Sequence, residues 1–410
     1  MASRADLMWI AEILMGREAR DGYVGAAPPR GFRSVFTFGA LPSSAKPYVL
    51  VPLQPILAAE SVRELANPVQ TRLSLAEALL ALGLRSGIPQ RLRPELIHFC
   101  LPPDAQPRSP LLDHFREFFG RDDLSLAVIM GKERPNRKPV LKVITSEGSC
   151  LGYAKVGWNG VTRALLANEA DALDTISGQA TPMRSFETPD VLERREVAGY
   201  DVLVLKPLPR SRPGVKKPSR FPLEAAKEIA GLKGVESAAL PTSAYWAELK
   251  ARVDAATSGE DPSATGLLPR AMELLESTYG TREIAFGTWH GDFIPWNMKR
   301  AQGRLFIWDW ERSSSSVPVG LDAARYDLDL RVKIKRESPR KAVRASAMSL
   351  GPVLEELGAP AGTATLVTTL HALEMVLRFQ EARAAGVEGR GPMYEAALQA
   401  MLAGPVRVRV

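Results

Sequence analysis

The spacing of hydrophobic and polar positions changes several times along the chain, and each change predicts an element. Short apolar runs bounded by turn residues predict strands near Ser34–Phe38 and Tyr48–Val51. Leucines and alanines recur at helical spacing over Ser74–Leu84, which predicts a helix. A proline-rich break at Leu101–Pro110 precedes a short helix over Leu111–Phe119, stopped by Gly120. The first 124 residues read as a mixed α/β unit of their own, without a chemical motif. Two histidines in it, His98 and His114, are isolated from other candidate ligands.

Three strands follow, over Leu126–Met130, Val140–Thr145 and Leu151–Val156. A basic turn, Gly131 to Pro139, joins the first two, and Glu147-Gly-Ser joins the next pair. A helix is expected over Thr162–Ile176, capped by Asn159 or Thr162. Val202–Leu205 reads as a buried strand. The stretch from Pro207 to Arg220 then carries five basic residues and no acidic one, as a hinge and loop would. That loop is either a solvated charge run or a device that steers an anionic substrate. From Leu223 onward the pattern is mostly helical, with one strand-rich island at 285–311 and a long amphipathic helix over Thr363–Ala385. The expected organisation is thus three-part: an accessory unit over 1–124, a small strand-rich part over 125–208, and a large helical part over 209–410.

Chemistry concentrates on the strand island. Thr288-Trp-His290-Gly-Asp292 runs through Phe-Ile-Pro-Trp to Asn297, and Leu305-Phe-Ile-Trp-Asp309-Trp-Glu311 follows. Asn297-Met-Lys and Leu305-Phe-Ile-Trp read as the two arms of a hairpin closed at Ala301-Gln-Gly303. A hairpin brings its ends together, so Asn297 would lie beside Asp309. An amide oxygen and a carboxylate placed so are suited to Mg²⁺, which takes few protein ligands plus phosphate and water. Asp292, five residues before Asn297, would reach the same centre from a tight loop. Phosphoryl transfer needs such a set: one carboxylate for the attacking hydroxyl, others for the metal. Four tryptophans, 289, 296, 308 and 310, surround these residues and read as packing, with Trp296 also a candidate for stacking on a sugar.

The His-Gly-Asp-x-x-x-x-Asn pattern followed by Trp-Asp-Trp-Glu resembles the aminoglycoside phosphotransferase and choline kinase group of kinase-like enzymes. Gly291 stands where protein kinases carry Arg, and Trp310-Glu311 follows the metal-binding Asp, both of which favour the small-molecule branch. The resemblance implies an α+β, bilobal protein-kinase-like fold: a small antiparallel-sheet lobe, a large mainly helical lobe, and the accessory domain before them. It implies Asp292 as catalytic base, His290 as a support of the loop, and Asn297 and Asp309 as metal ligands. Asp322 resembles the downstream carboxylate that braces the loop, with Asp327 as the alternative. Kinase-like folds also pair a strand lysine with a helix glutamate. Lys155, inside the apolar run Gly152-Tyr-Ala-Lys-Val, and Glu169, fourteen residues later, fill those positions, with Asp171 as the other possible partner.

The nucleotide turn departs from the glycine-rich pattern. Its Lys132, Arg134, Arg137 and Lys138 would either meet phosphates or form a solvated basic turn. Val204–Leu208 resembles the hinge that contacts adenine. The implied cofactors are ATP and Mg²⁺, and the implied partner is a small-molecule hydroxyl acceptor, aminoglycoside-, choline- or sugar-like. Glu381, Glu388 and Glu395 are candidates for an acidic wall facing it. The alternative is a nucleotide-binding pseudo-enzyme or regulatory module with the same fold.

Composition narrows this reading. Among 410 residues, two cysteines, Cys100 and Cys150, make no disulfide framework. Four histidines without His-Glu-x-x-His spacing argue against a metallohydrolase. The net charge of +7 is spread along the chain, without basic stretches interleaved with aromatics, so no nucleic acid is expected. Charges at Arg4, Asp6, Glu12, Arg17 and Glu18 interrupt the N-terminal apolar residues, and no run reaches membrane-spanning length. A cytoplasmic location is the resulting expectation.

Overall fold

Nine strands join edge to edge into one antiparallel sheet, because the first hundred residues and the next hundred share its hydrogen-bond ladder. The structure, a computed structural model, describes residues 4–63, 79–87, 95–131, 137–210, 220–258, 266–384 and 391–403. The chain divides into two compact units, Met1–Asp174 with Thr188–Lys216 and Thr175–Glu187 with Lys217–Val410.

The first unit holds the sheet. Its strands are β1 Tyr23–Gly25, β2 Arg33–Leu41, β3 Val49–Pro52, β4 Leu96–Leu101, β5 Leu124–Ile129, β6 Val140–Thr145, β7 Cys150–Gly157, β8 Val191–Val197 and β9 Tyr200–Leu205. Their order is β1-β4-β2-β3-β5-β6-β7-β9-β8. The sheet crosses residue 124 without a break, since β3 pairs with β5 at Val49–Ile129 and Leu50–Val128. Side chains alternate between faces with period two. Leu124, Leu126 and Val128 of β5, Leu141 and Val143 of β6, and Ala154 and Val156 of β7 point to one face. There they meet Ile10 and Leu14 of the helix Arg4–Met15 and Leu111 and Phe115 of the helix Pro110–Phe119. Each large apolar side chain among them contributes about 1.5–3 kcal/mol on burial. Ser109 caps the second of these helices by accepting from the Leu112 N–H, and Gly120 ends it in the left-handed conformation. The opposite face is covered by the helix Pro55–Val62, whose Ala58, Ala59 and Val62 pack on Val49 and Val51.

That second face also buries charge. Lys142 of β6 is 1 % exposed and donates to the Glu60 carbonyl at 2.6 Å, with a Glu60 carboxylate oxygen at 3.2 Å. Arg210 donates to both oxygens of the same carboxylate at 2.8 Å. Of the helix expected over Ser74–Leu84, residues 79–84 are helical and the rest lie outside the described residues. Residues 132–136 of the basic turn, 211–219 of the basic loop, and Glu388 also lie outside them. Cys100 and Cys150 are unlinked, and burial pushes the Cys150 thiol up to about 11. His114 pairs with Glu193 at 2.7 Å, and the His98 ring nitrogen Nδ1 lies 3.1 Å from the Thr37 hydroxyl.

The second unit is mainly helical around two small sheets. One has the order β10-β11-β14, from Glu236–Ala239, Glu283–Trp289 and Ser314–Pro318. The other is the hairpin of β12 Met298–Ala301 and β13 Arg304–Ile307. Gln302 and Gly303 close it with φ of 51° and 79°, the paired positive angles of a two-residue type I′ turn. The helix Ala364–Ala384 runs through this unit's core, burying Leu366, Leu370, Leu373 and Leu377. No described helix is long and apolar enough to cross a membrane.

Candidate active site

In the first unit, Lys155 points away from the face that holds Ala154 and Val156. Its ammonium lies 2.7 Å from both carboxylate oxygens of Glu169. Glu169 is fully buried on the helix Gly160–Ser177. The start of that helix is fixed by reciprocal bonds: Asn159 Oδ1 accepts from the Thr162 N–H, and Thr162 Oγ1 accepts from the Asn159 N–H. Asp171, the other candidate partner, pairs with Arg194 instead.

The second unit builds a loop between β11 and β12. Gly291 is left-handed at φ 79°, and a Cβ there would collide with the Arg312 carbonyl oxygen, so only glycine fits. Both neighbouring amides are captured by one carboxylate: the His290 N–H donates to Asp322 at 2.7 Å and the Gly291 N–H at 3.1 Å. Asp322 is therefore the brace, while Asp327 pairs with Arg331. The buried His290 ring ties the loop to the hairpin. Its Nδ1 accepts from the Asp292 N–H at 3.2 Å, which leaves Nε2–H to donate to the Trp308 carbonyl at 3.1 Å. Trp310 packs 4.5 Å from that ring, and its indole N–H donates to the Ile307 carbonyl.

Asn297 ends a short 3₁₀ turn, Pro295–Asn297, just before β12. Its amide nitrogen donates to an Asp292 carboxylate oxygen at 2.9 Å and to the Asp292 carbonyl at 3.0 Å. Across the hairpin, the Trp308 N–H donates to the Asn297 carbonyl at 3.1 Å. Asp309 follows immediately, at a φ of 71°. A non-glycine residue held there costs of order 1–3 kcal/mol and persists only where its surroundings fix it. Carboxylate oxygens of Asp309 and Glu311 approach within 4.8 Å. Asn297, Asp309 and Glu311 are all oxygen donors, the kind a hard divalent cation takes, so the residues fit Mg²⁺. Glu311 was legible only as part of the Trp-Asp-Trp-Glu run.

Sequence spacing gave no signal for the groups behind Asp292. Arg325 is 8 % exposed and donates to the other Asp292 carboxylate oxygen at 2.8 Å. The same guanidinium donates to the Tyr394 hydroxyl at 2.7 Å, and that hydroxyl donates to Asp329 at 3.0 Å. Burial opposes the Arg325 charge, but Asp329, Tyr394 and Asp292 together hold its proton more tightly than an ordinary arginine does. Arg378 donates to the Gly291 carbonyl at 3.0 Å, and burial and then Arg312 pull it down to about 10. Lys333 bonds Asp329 at 2.7 Å and covers the Trp296 ring at 4.4 Å. Glu381, a candidate for an acidic wall, is paired with Arg252 at 2.8 Å.

Asp322 sets a pH expectation. Burial raises its carboxyl from 3.8 to about 7, against the pull of the two amides. Across that window the folded state holds a proton that the unfolded state has released, so this group lowers stability as pH rises. In denaturation midpoints taken between about pH 4 and 7, wild type should lose ground relative to Asp322→Asn. Parallel midpoints would contradict the shift.

No protein-family model matches the chain, and no curated protein matches it by sequence. Solved structures do. Aminoglycoside phosphotransferase APH(4)-Ia is 13 % identical, with 72 % of this chain and 97 % of that one covered at a TM-score of 0.47. Choline kinase LicA from Streptococcus pneumoniae is 15 % identical, with 71 % and 98 % covered at 0.43. A putative fructosamine-3-kinase from Haemophilus somnus 129PT is 12 % identical, with 72 % and 95 % covered at 0.42. Each of these neighbours is named as a phosphotransferase or kinase of a small molecule.

Proposed function

We propose that the protein is an ATP-dependent phosphotransferase that moves the γ-phosphoryl group to a hydroxyl of a small molecule. The observation that carries the reading is the Asp292 loop: a carboxylate fixed by Asn297, a backbone braced by Asp322, and Asp309 held at the end of the adjoining hairpin. Lys155, held by Glu169, places positive charge on the nucleotide phosphates. Asn297 and Asp309, with Glu311 beside them, hold magnesium, which when bound neutralises charge on the transferring phosphoryl group. Asp292 orients the acceptor hydroxyl and receives its proton as that oxygen bonds to the γ-phosphorus and the bond from phosphorus to the β–γ bridging oxygen breaks, releasing ADP. His290 keeps the Asp292 backbone in place, bonded on one side to that loop and on the other to the residue before Asp309. We further propose that residues 125–208 form the nucleotide lobe and 209–410 the helical lobe, with 1–124 as an accessory part.

A nucleotide-binding module without turnover is the second reading. It is favoured by one fact: both Asp292 carboxylate oxygens are already engaged, by Arg325 and by Asn297. Acceptor-stimulated ADP release from Mg-ATP, across a panel of hydroxylated small molecules, separates the two. Release that depends on acceptor supports the transferase; ATP binding with no release under any acceptor supports the module.

A further inference from the structure

The N-terminal helix Arg4–Met15 buries Leu7, Ile10 and Leu14 in the core, and its Trp9 is left on the flank. Trp9 lies where three segments of the first unit meet. Its ring sits 5.5 Å from that of Trp158, and the Arg137 guanidinium lies 5.4 Å from its ring centre. Trp158 directly follows β7, the strand of Lys155, and precedes the helix of Glu169. Its indole N–H donates to the Arg137 carbonyl at 2.8 Å. Arg137 in turn reaches across the base of the β5–β6 turn, donating to the Met130 carbonyl at 2.8 Å and the Gly131 carbonyl at 3.4 Å.

So Arg137, a candidate phosphate contact by sequence, is used to staple the two sides of its own turn. A guanidinium fixed on carbonyls and against an indole has little freedom left to follow a ligand. The turn lacks the glycines that would let its backbone wrap a phosphate, and here side chains from outside hold its base.

We propose that Trp9 is a positioning residue for nucleotide binding. Together with Trp158 it clamps Arg137, so that the N-terminal helix sets the geometry between the base of the β5–β6 turn and the Lys155 strand. The proposal rests on the phosphotransferase reading, and it gives the first segment of the chain a role in ATP affinity.

The test has two arms on full-length protein, wild type beside Trp9→Ala and Trp9→Phe. Amide hydrogen exchange of Arg137, Lys138 and Val140, without nucleotide, reads the clamp directly. Exchange should speed up in Trp9→Ala and return toward wild type in Trp9→Phe, which keeps an aromatic face for Arg137. Unchanged exchange in Trp9→Ala overturns the proposal whatever the nucleotide does. In steady-state turnover, Trp9→Ala should raise KM for ATP roughly three- to tenfold, the scale of one such lost ring contact. Its kcat should stay at the wild-type value. A fall in kcat with KM unchanged, or a KM defect that Trp9→Phe does not relieve, also overturns it. A wild type that binds no ATP, with Trp9-dependent exchange intact, sinks the phosphotransferase reading and the affinity role together while leaving the clamp as a structural fact.

Discussion

Asp292→Asn should lower kcat by roughly 10²- to 10⁴-fold, the range for loss of a positioned general base. The substitution keeps the volume and one acceptor oxygen, so the loop has no steric reason to move. What it removes is the negative charge that pairs with the Arg325 guanidinium and that, in the proposed reaction, takes the acceptor's proton. Arg325 keeps Asp329 at 3.5 Å and the Tyr394 hydroxyl, so its burial stays compensated and folding should survive. Mg-ATP affinity should be nearly unchanged, because Asn297 and Asp309 remain. The measurement is steady-state turnover beside equilibrium ATP binding for the same preparation. A kcat within a few-fold of wild type would remove Asp292 from the reaction.

Glu60→Ala should destabilise the first unit by about 3–5 kcal/mol, the cost of leaving one member of a buried pair uncompensated. Lys142 is the member left behind. Its ammonium is buried on the sheet face beneath the helix Pro55–Val62, and the Glu60 carboxylate is its counter-charge. Arg210 loses less, since more than half of its side chain is exposed. Chemical denaturation of Glu60→Ala reads the cost. The double variant Glu60→Leu with Lys142→Met should recover most of it, because two apolar groups of similar size need no compensation. A cost below about 1 kcal/mol, the range of an exposed pair, would mean that Lys142 finds water in place of Glu60.

Much of the fold was legible because its signals are local. The Ala301-Gln-Gly303 loop between two short strand candidates reads as a hairpin, and the hairpin is present, closed by the two residues Gln302 and Gly303 instead of three, with arm limits within two residues of those expected. The Lys155–Glu169 pair was readable from a lysine inside an apolar strand and a glutamate fourteen residues on, and the two side chains meet. Gly291 could be read from its motif, but its reason, the Arg312 carbonyl pressed against it, comes from a turn twenty-one residues later. What stayed hidden depends on long-range packing. Arg325 reaches Asp292 from 33 positions away, and Tyr394 meets Asp329 from 65. Neither lies in a periodic pattern that marks it apart from an ordinary helix residue. β8, Val191–Val197, was missed because Glu193-Arg-Arg-Glu196 in its middle reads as a polar segment; it lies at the sheet edge, where Arg194, Arg195 and Glu196 reach solvent while Glu193 pairs with His114. The left-handed backbone at Asp309 also has no sequence mark, since aspartate adopts many conformations.

The central claim is that Asn297 and Asp309 hold a divalent metal on bound nucleotide. Calorimetric titration of ATP into the protein, with and without Mg²⁺, for wild type and Asp309→Asn, tests it most directly. Wild type should bind ATP more tightly with Mg²⁺ than without it, and Asp309→Asn should lose that difference. Equal magnesium dependence in the two proteins would contradict the metal assignment, and no ATP binding by wild type in either condition would contradict the account as a whole.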